Sequence, residues 1–358
     1  MLTSLFHAWE RRLASVTTDR VVGPFDWGLD WMPYNGQTSN WTMAGRADCA
    51  PPDAAARARV DAWIASVMAD TDTFFTPPPT TEYHVSGVGD GTSVLTFPSA
   101  FTTPHPANNT VYCRYFRGRG NGPGPRAAVL VLPQWNADPG GHVGLCRLLN
   151  SYGMSALRLA LPYHDQRMPP ELHRADYIVS ANIVRTVQVC RQAVLDARRA
   201  IHWLAAEGYD RIGILGTSLG SCLSLLTTAH EPLVRAEALN HISPYFADVV
   251  WRGLSTEHVR EGLNGHVELD LLRTLWKPIS PRWYLERVRD RRTLLVYARY
   301  DLSFPLDLSE DLVREFRERG IPHDVAVLRC GHYSTGKAPF KYVDGWLLAR
   351  FLRRALLT

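Results

Sequence analysis

Residues 211–220 read RIGILGTSLG, and the chain runs on from Leu219 as LGSCLSLLTTAH to His230. The first six residues form an apolar run of strand length; the second stretch has the length and composition of a helix. Gly216-Thr217-Ser218-Leu219-Gly220 therefore falls at the junction between the two. The Gly-x-Ser-x-Gly pattern alone is of modest specificity, and its place between a strand and a helix is what gives it chemical meaning. A serine on so tight a turn stands clear of the backbone, and small neighbours let strand and helix approach. The N–H groups that open the helix can stabilise an anion. Ser218 is the candidate nucleophile, and the N–H of Leu219 a candidate oxyanion donor.

Apolar runs of the same kind recur at 127–133, 155–162, 236–242, 292–298 and 323–329, with helical patterns at 141–151, 178–207, 307–319 and 339–356. Strands that are apolar throughout and alternate with helices predict an α/β fold with a mostly parallel central sheet covered on both faces. Ahead of them, runs at 82–88, 92–97 and 109–117, with a turn at Gly89-Asp90-Gly91, predict an antiparallel start to the same sheet. RGRGNGPGPR at 117–126 reads as a polar turn. The 358 residues exceed what this unit needs, and the surplus has two addresses. Residues 1–81 read as an N-terminal extension packed on the core, with helices at 3–15 and 52–69, the latter started by Pro51–Pro52. Trp27 and Trp31, in the aromatic segment 25–34, are its expected anchors. Residues 244–291 read as a small helical cap or lid inserted into the main domain expected at 82–358.

A serine nucleophile needs a base, and the base needs an acid to hold its tautomer. His332 lies just past the last strand in LRCGHYSTG, and Asp301 just past the fifth parallel strand in ARYDLSFP. With Ser218 they give the order nucleophile, acid, base, each after a strand and so at one edge of the sheet. Asp307 and Asp311 sit where an acid serves a helix start, and Asp324 begins its strand, at the wrong edge. His241 is a rival base but follows a strand in the wrong topological position. The second oxyanion donor is expected from the loop after 127–133, with Trp135 first and Gln134 second. His164 and Arg167 in PYHDQR are candidates for the substrate entrance; Arg167 could attract an anionic group or equally pair with Asp165 in a loop salt bridge.

GTSLG after its strand, Asp301 in YDLSFP and His332 in GHYSTG resemble the α/β-hydrolase superfamily of serine-hydrolase type. Within it, FDWGLDW at 25–31, PYHDQR at 162–167, HWLAAEGYDRIGILGTSLGS at 202–221 and CGHYS at 330–334 are similar to the family of the mammalian α/β-hydrolase domain-containing 18 proteins and their bacterial relatives. The resemblance implies hydrolysis of a carboxylic ester through an acyl-enzyme on Ser218, His332 and Asp301, with amide or peptide hydrolysis or a non-catalytic scaffold as the alternatives. Members of that family often carry Met and a second Gly after the serine. Leu219-Gly220-Ser221 departs from this, with an expected effect on the pocket wall.

Composition narrows the field further. With 46% hydrophobic and 21% charged residues the chain is too apolar for a disordered protein. A net charge of +4, from 39 basic and 35 acidic side chains without a basic stripe, points away from nucleic acid as a partner. The six cysteines are irregularly spaced and the histidines make no HExxH, so neither metal nor organic cofactor is expected. No apolar run reaches the eighteen or so residues of a membrane span, and the start lacks the features of a signal peptide. A cytoplasmic protein acting on a small-molecule ester is the resulting expectation.

Overall fold

Ala127–Leu132 has no polar side chain and sends its residues alternately to two buried faces: Ala128, Leu130 and Leu132 join one core, Ala127, Val129 and Val131 another. Such a strand is stable only near the middle of a sheet covered on both sides. The computed structural model describes residues 2–32, 53–88, 91–118 and 126–358, and places it there. Strands β1 (His84–Val88), β2 (Thr92–Pro98), β3 (Thr110–Phe116), β4 (Ala127–Leu132), β5 (Ser155–Leu159), β6 (Arg211–Thr217), β7 (Val234–Asn240), β8 (Arg292–Ala298) and β9 (His323–Leu328) form one sheet in the order β1-β2-β3-β5-β4-β6-β7-β8-β9. The pairs β1–β2, β2–β3 and β3–β5 are antiparallel, and the pairs from β5 through β9 are parallel. This is the architecture expected from the sequence.

The helices are α1 (Leu2–Ala14), α2 (Asp53–Ala69), α3 (Thr71–Phe75), α4 (Val143–Ser151), α5 (Ile183–Ala206), α6 (Leu219–His230), α7 (Phe246–Arg252), α8 (Glu257–Leu263), α9 (Leu269–Leu275), α10 (Leu306–Glu318), α11 (His332–Thr335) and α12 (Phe340–Leu357). Helices α4 and α12 close one face of the sheet through Cys146, Leu149, Leu348 and Leu352. Helices α5 and α6 close the other. Because β4 feeds α4 on one face while β6 feeds α6 on the other, their outgoing loops diverge and leave a crevice at the carboxyl ends of the strands.

Helix α5 is buried on nearly all sides, including Arg191, Arg198 and Arg199. What covers its outer side is the N-terminal region. Arg191 donates to Phe74 O at 2.6 Å, Arg199 to Pro78 O at 2.8 Å, and Gln188 to Trp31 O at 3.0 Å. Each buried guanidinium thus finds carbonyl acceptors in the segment that hides it, which offsets its desolvation. Trp27 and Trp31 are buried in the same core. Between β7 and β8 the chain forms α7, α8 and α9 with short 3-10 turns, in the stretch read as a cap. Among the described cysteines, Cys113, Cys146, Cys190, Cys222 and Cys330 are free and buried. The Pro51–Pro52 helix start, Pro33 and Tyr34 at the end of the aromatic segment, Cys49, Gly89 and Asp90 of the first turn, and residues 119–125 of the polar turn lie outside the described residues. No described helix is long and apolar enough to cross a membrane.

Candidate active site

The six non-glycine residues with positive φ among the described residues all lie just past the carboxyl ends of four parallel strands. They are Asn136 and His142 after β4, Tyr163 and Asp165 after β5, Ser218 after β6, and His241 after β7. Backbone strain of this kind persists only where surrounding structure enforces it, and it gathers at functional sites.

Ser218 takes φ 56° and ψ −120°, between the end of β6 and the first residue of α6. The flanking glycines make that turn possible. A Cβ on Gly216 would lie 2.1 Å from Gly220 O, and one on Gly220 would lie 2.2 Å from Leu132 O and 2.5 Å from Pro133 O. The second of these contacts presses the end of β4, and the loop that follows it, against the serine turn. Ser218 N–H donates to Asn240 O at 2.8 Å, tying the turn to β7. The Ser221 hydroxyl lies 2.6 Å from Ser218 O and 2.8 Å from His241 O, so it links the two strained residues. Ser221 is fully buried, and the departure at 219–221 thus bears on backbone support beneath the serine.

Asp301, past β8, is buried and receives four hydrogen bonds. Its Oδ1 accepts from Ser303 N–H at 2.8 Å and Phe304 N–H at 2.7 Å. Its Oδ2 accepts from His332 Nδ1 at 2.9 Å and from His241 Nδ1 at 2.8 Å. An ionised carboxylate only accepts, so both imidazoles carry a proton on Nδ1. The His332 ring lies parallel to Phe304, with centroids 5.4 Å apart. Burial alone would raise the Asp301 pKa, but the His332 charge and the hydrogen bonds from both histidines hold it well below the carboxylate range. Burial pulls His332 down, but the charge and hydrogen bond of Asp301 outweigh it, and its pKa ends above the ordinary histidine value. Ser218 Oγ has no hydrogen-bond partner among the described residues. His241, His332 and Asp301 also present ligand atoms within 4.8 Å of one another, as a chelating set would. The N···O separations of 2.8 and 2.9 Å are those of hydrogen bonds, and a metal ion would have to displace both Nδ1 protons.

The fold is similar to that of several solved hydrolases. The acetyl xylan esterase from Paenibacillus sp. R4 superposes with a TM-score of 0.59 over 83% of this chain and 94% of its own, at 15% identity. Acetyl xylan esterase 1 from a Thermoanaerobacterium species gives 0.58 over 82% and 93%, at 13% identity. The acylaminoacyl peptidase of Pyrococcus horikoshii gives 0.57 over 77% of this chain at 14% identity, and the chain spans only 42% of that protein's length. This is an α/β-hydrolase fold. Residues 145–253, which include the serine turn, match the family described as "Alpha/beta hydrolase domain containing 18". No curated protein matches the chain in sequence.

In an α/β-hydrolase fold the loop after β4 faces the serine turn, and here its conformation is held from several sides. Leu219 opens α6, so its N–H has no acceptor within the helix. Asn136 N–H, by contrast, is engaged by His164 Nε2 at 2.9 Å, and its side-chain oxygen accepts from Ala175 N–H at 2.8 Å. The Trp135 indole donates to Ala175 O at 2.9 Å and stacks on His258, 5.7 Å between centroids. Gln134 O accepts from Ala137 N–H at 3.2 Å and closes the turn. His142 Nε2 lies 3.0 Å from the hydroxyl of Thr217, the residue before Ser218.

His164 borders the cleft beside the loop after β4 but is itself buried, its ring turned to the protein. Its Nδ1 donates to Pro162 O at 2.9 Å while Nε2 accepts from Asn136, so both nitrogens are spent inside the protein. Burial pushes its pKa down to about 4 and keeps it neutral in this bracing role. Arg167 is buried completely. It pairs with Asp196 of α5 at 2.8 Å and donates to Ala160 O and Asn108 O, which leaves no face for a substrate anion. Nor does it pair with Asp165, which is held by Arg158 at 2.7 Å. In sequence, Asp165 was the near neighbour; α5 supplies the nearer carboxylate in space. Sequence reasoning also passed over His142, read Ser221 only for its effect on the pocket wall, and set His241 aside. The signal for His241 was its place after a parallel strand.

Proposed function

We propose that this protein is a serine hydrolase that cleaves a carboxylic ester, a reading that extends to the whole chain the family matched at 145–253. The observation that supports it most is the His332 Nδ1–Asp301 contact of 2.9 Å, at the edge of the sheet where Ser218 occupies its strained turn. In the proposed cycle, His332 Nε2 takes the Ser218 proton as Oγ attacks the ester carbonyl. The tetrahedral oxyanion is received by Leu219 N–H and by the backbone of the 134–135 loop, with Trp135 N–H the first choice. His332 then protonates the leaving alcohol. Water, deprotonated by the same imidazole, attacks the acyl-enzyme and releases the acid. Asp301 stays ionised throughout and stabilises the imidazolium. The cleft of about 860 Å³ bounded by Thr17, Asp19, Asn136, Asp138, Met168 and Arg174 borders the same loop and is the proposed approach for substrate.

A fluorophosphonate probe is expected to label wild-type protein at Ser218, and Ser218→Ala to lose both labelling and ester hydrolysis, the latter by about a thousandfold or more. A folded wild-type protein that resists the probe, or an alanine variant that still turns over acyl esters, defeats the reading. A panel of acyl esters of graded chain length then ranks substrates.

A further inference from the structure

The N-terminal helix reaches the loop that carries His332. Glu10 of α1 is completely buried although its helix is otherwise largely exposed. Its Oε2 accepts from Tyr333 N–H at 2.8 Å and its Oε1 from Ser334 N–H at 2.9 Å, the two residues directly after His332. Gly331, directly before it, packs so closely that a Cβ there would lie 2.3 Å from Glu10 Cδ. Around the carboxylate the same element adds further ties. Phe6 stacks on Tyr300, next to Asp301, with centroids 4.5 Å apart. Arg20, a few residues past α1, donates to the Tyr333 hydroxyl at 2.9 Å. A buried carboxylate with both oxygens on consecutive backbone N–H groups is a strong, directional anchor, and here it fixes the backbone on either side of one imidazole.

We propose that Glu10 is a positioning residue for His332, so that the N-terminal helix completes the site and the extension is part of the catalytic apparatus. The inference rests on the ester-hydrolase reading for its consequence in turnover, though the hold on the imidazole is independent of it. The groups facing His332 are Asp301 from the loop after β8, His241 from the loop after β7, Glu10 from α1, and its own neighbour Tyr333, whose hydroxyl also meets Ser255. Asp344 of α12 bonds Asn240, beside His241. Glu10 contributes negative charge that favours the imidazolium, after the larger effects of burial and Asp301.

Glu10→Gln removes the charge and turns one acceptor into a donor facing a backbone N–H. It is expected to slow fluorophosphonate labelling of Ser218 by about tenfold, and kcat by a similar factor with KM for a short acyl ester little changed, as misplacement of a general base does. The His332 imidazole NMR titration should move to lower pH. Glu10→Asp keeps the charge but cannot reach both N–H groups; its titration should stay nearer wild type while labelling remains slow. A folded Gln variant that labels at the wild-type rate, or whose only change is a lower Tm with the titration in place, overturns the proposal. Should the Gln variant not fold, Gly331→Ala displaces the carboxylate from the other side, and wild-type labelling of that variant overturns it equally. If wild-type protein resists the probe, the ester-hydrolase reading fails, while the NMR midpoint in Glu10→Gln still decides the role of Glu10.

Discussion

Two loops bring a histidine to the same oxygen of Asp301, and under the proposed reaction their difference separates a base from a brace. The loop after β9 presents His332 with part of its ring accessible, parallel to Phe304 and backed by Glu10. The loop after β7 presents His241 almost wholly buried, at φ 56°, with an Nε2 that meets no partner among the described residues. Contact with the acid is equal, 2.9 against 2.8 Å, so hydrogen bonding to Asp301 does not choose between them. Access does. A general base must reach the proton it removes, and of the two only the His332 ring is open enough to meet a substrate. His241 instead fills the second site on Oδ2, so that the carboxylate is saturated and cannot rotate.

Under the proposed reaction this comparison can be broken by mutation. His332→Gln is expected to lower kcat/KM for a short acyl ester by about a thousandfold or more, the usual cost of losing the base. His241→Asn keeps a residue that tolerates positive φ but removes the imidazole from Asp301. Its expected loss is between about tenfold and a hundredfold, in kcat more than in KM, because Asp301 and His332 lose definition without losing the base. Equal losses at the two positions, or the larger loss at 241, would reverse the assignment.

The pH dependence sharpens the same contrast. As base, His332 must be neutral, so activity falls as pH drops through its pKa. That pKa lies above the ordinary histidine value because Asp301 outweighs burial. The acid limb of kcat/KM should therefore have its midpoint above about 6.5. Asp301→Asn should move the limb to lower pH as well as reducing the plateau. His142 and His164, pushed down to about 4 by burial, add no inflection in that range. An acid limb in wild-type protein well below 6.5 would point away from an imidazole paired with Asp301.

How far such a contrast could be read in advance depends on the range of the contacts. The sheet and the serine turn were legible because their determinants are local: an unbroken apolar run such as Ala127–Leu132, and glycines at the two positions where a Cβ would strike backbone. Asp301 and His332 were legible as candidates because a polar residue shortly after a parallel strand emerges at one edge of the sheet. The supports were not. Glu10 meets residues more than three hundred positions away and looks, in sequence, like one more charge on an amphipathic helix. His241 follows a strand as His332 does, but only the backbone turn at φ 56° aims its ring at Asp301. Arg167 reads as a loop cation until Asp196 is seen to arrive from α5. The same holds for the arginines of α5, whose acceptors belong to a segment about 120 residues earlier.

A buried titratable group away from the edge offers the mildest test, since it should change stability and leave catalysis alone. Glu237 lies within β7, the strand that ends at His241, and is completely buried. Thr293 Oγ1 donates to its Oε1 at 3.0 Å, while Oε2 has no partner among the described residues. Burial raises its pKa from 4.5 to about 7. The unfolded chain therefore loses this proton near pH 4.5, whereas the folded chain keeps it to about pH 7. Stability falls as pH rises across that window and is level above it. Glu237→Gln mimics the neutral acid at every pH. The variant should be more stable than wild type at pH 8, by on the order of 3 kcal/mol at most, with the advantage shrinking towards pH 4.5. Urea unfolding at pH 5 and pH 8 measures it, alongside kcat/KM for the ester. A stability gain that is the same at both pH values would mean that Glu237 does not carry its proton in the folded state. A large loss of turnover would extend the catalytic apparatus from the strand ends into the sheet itself.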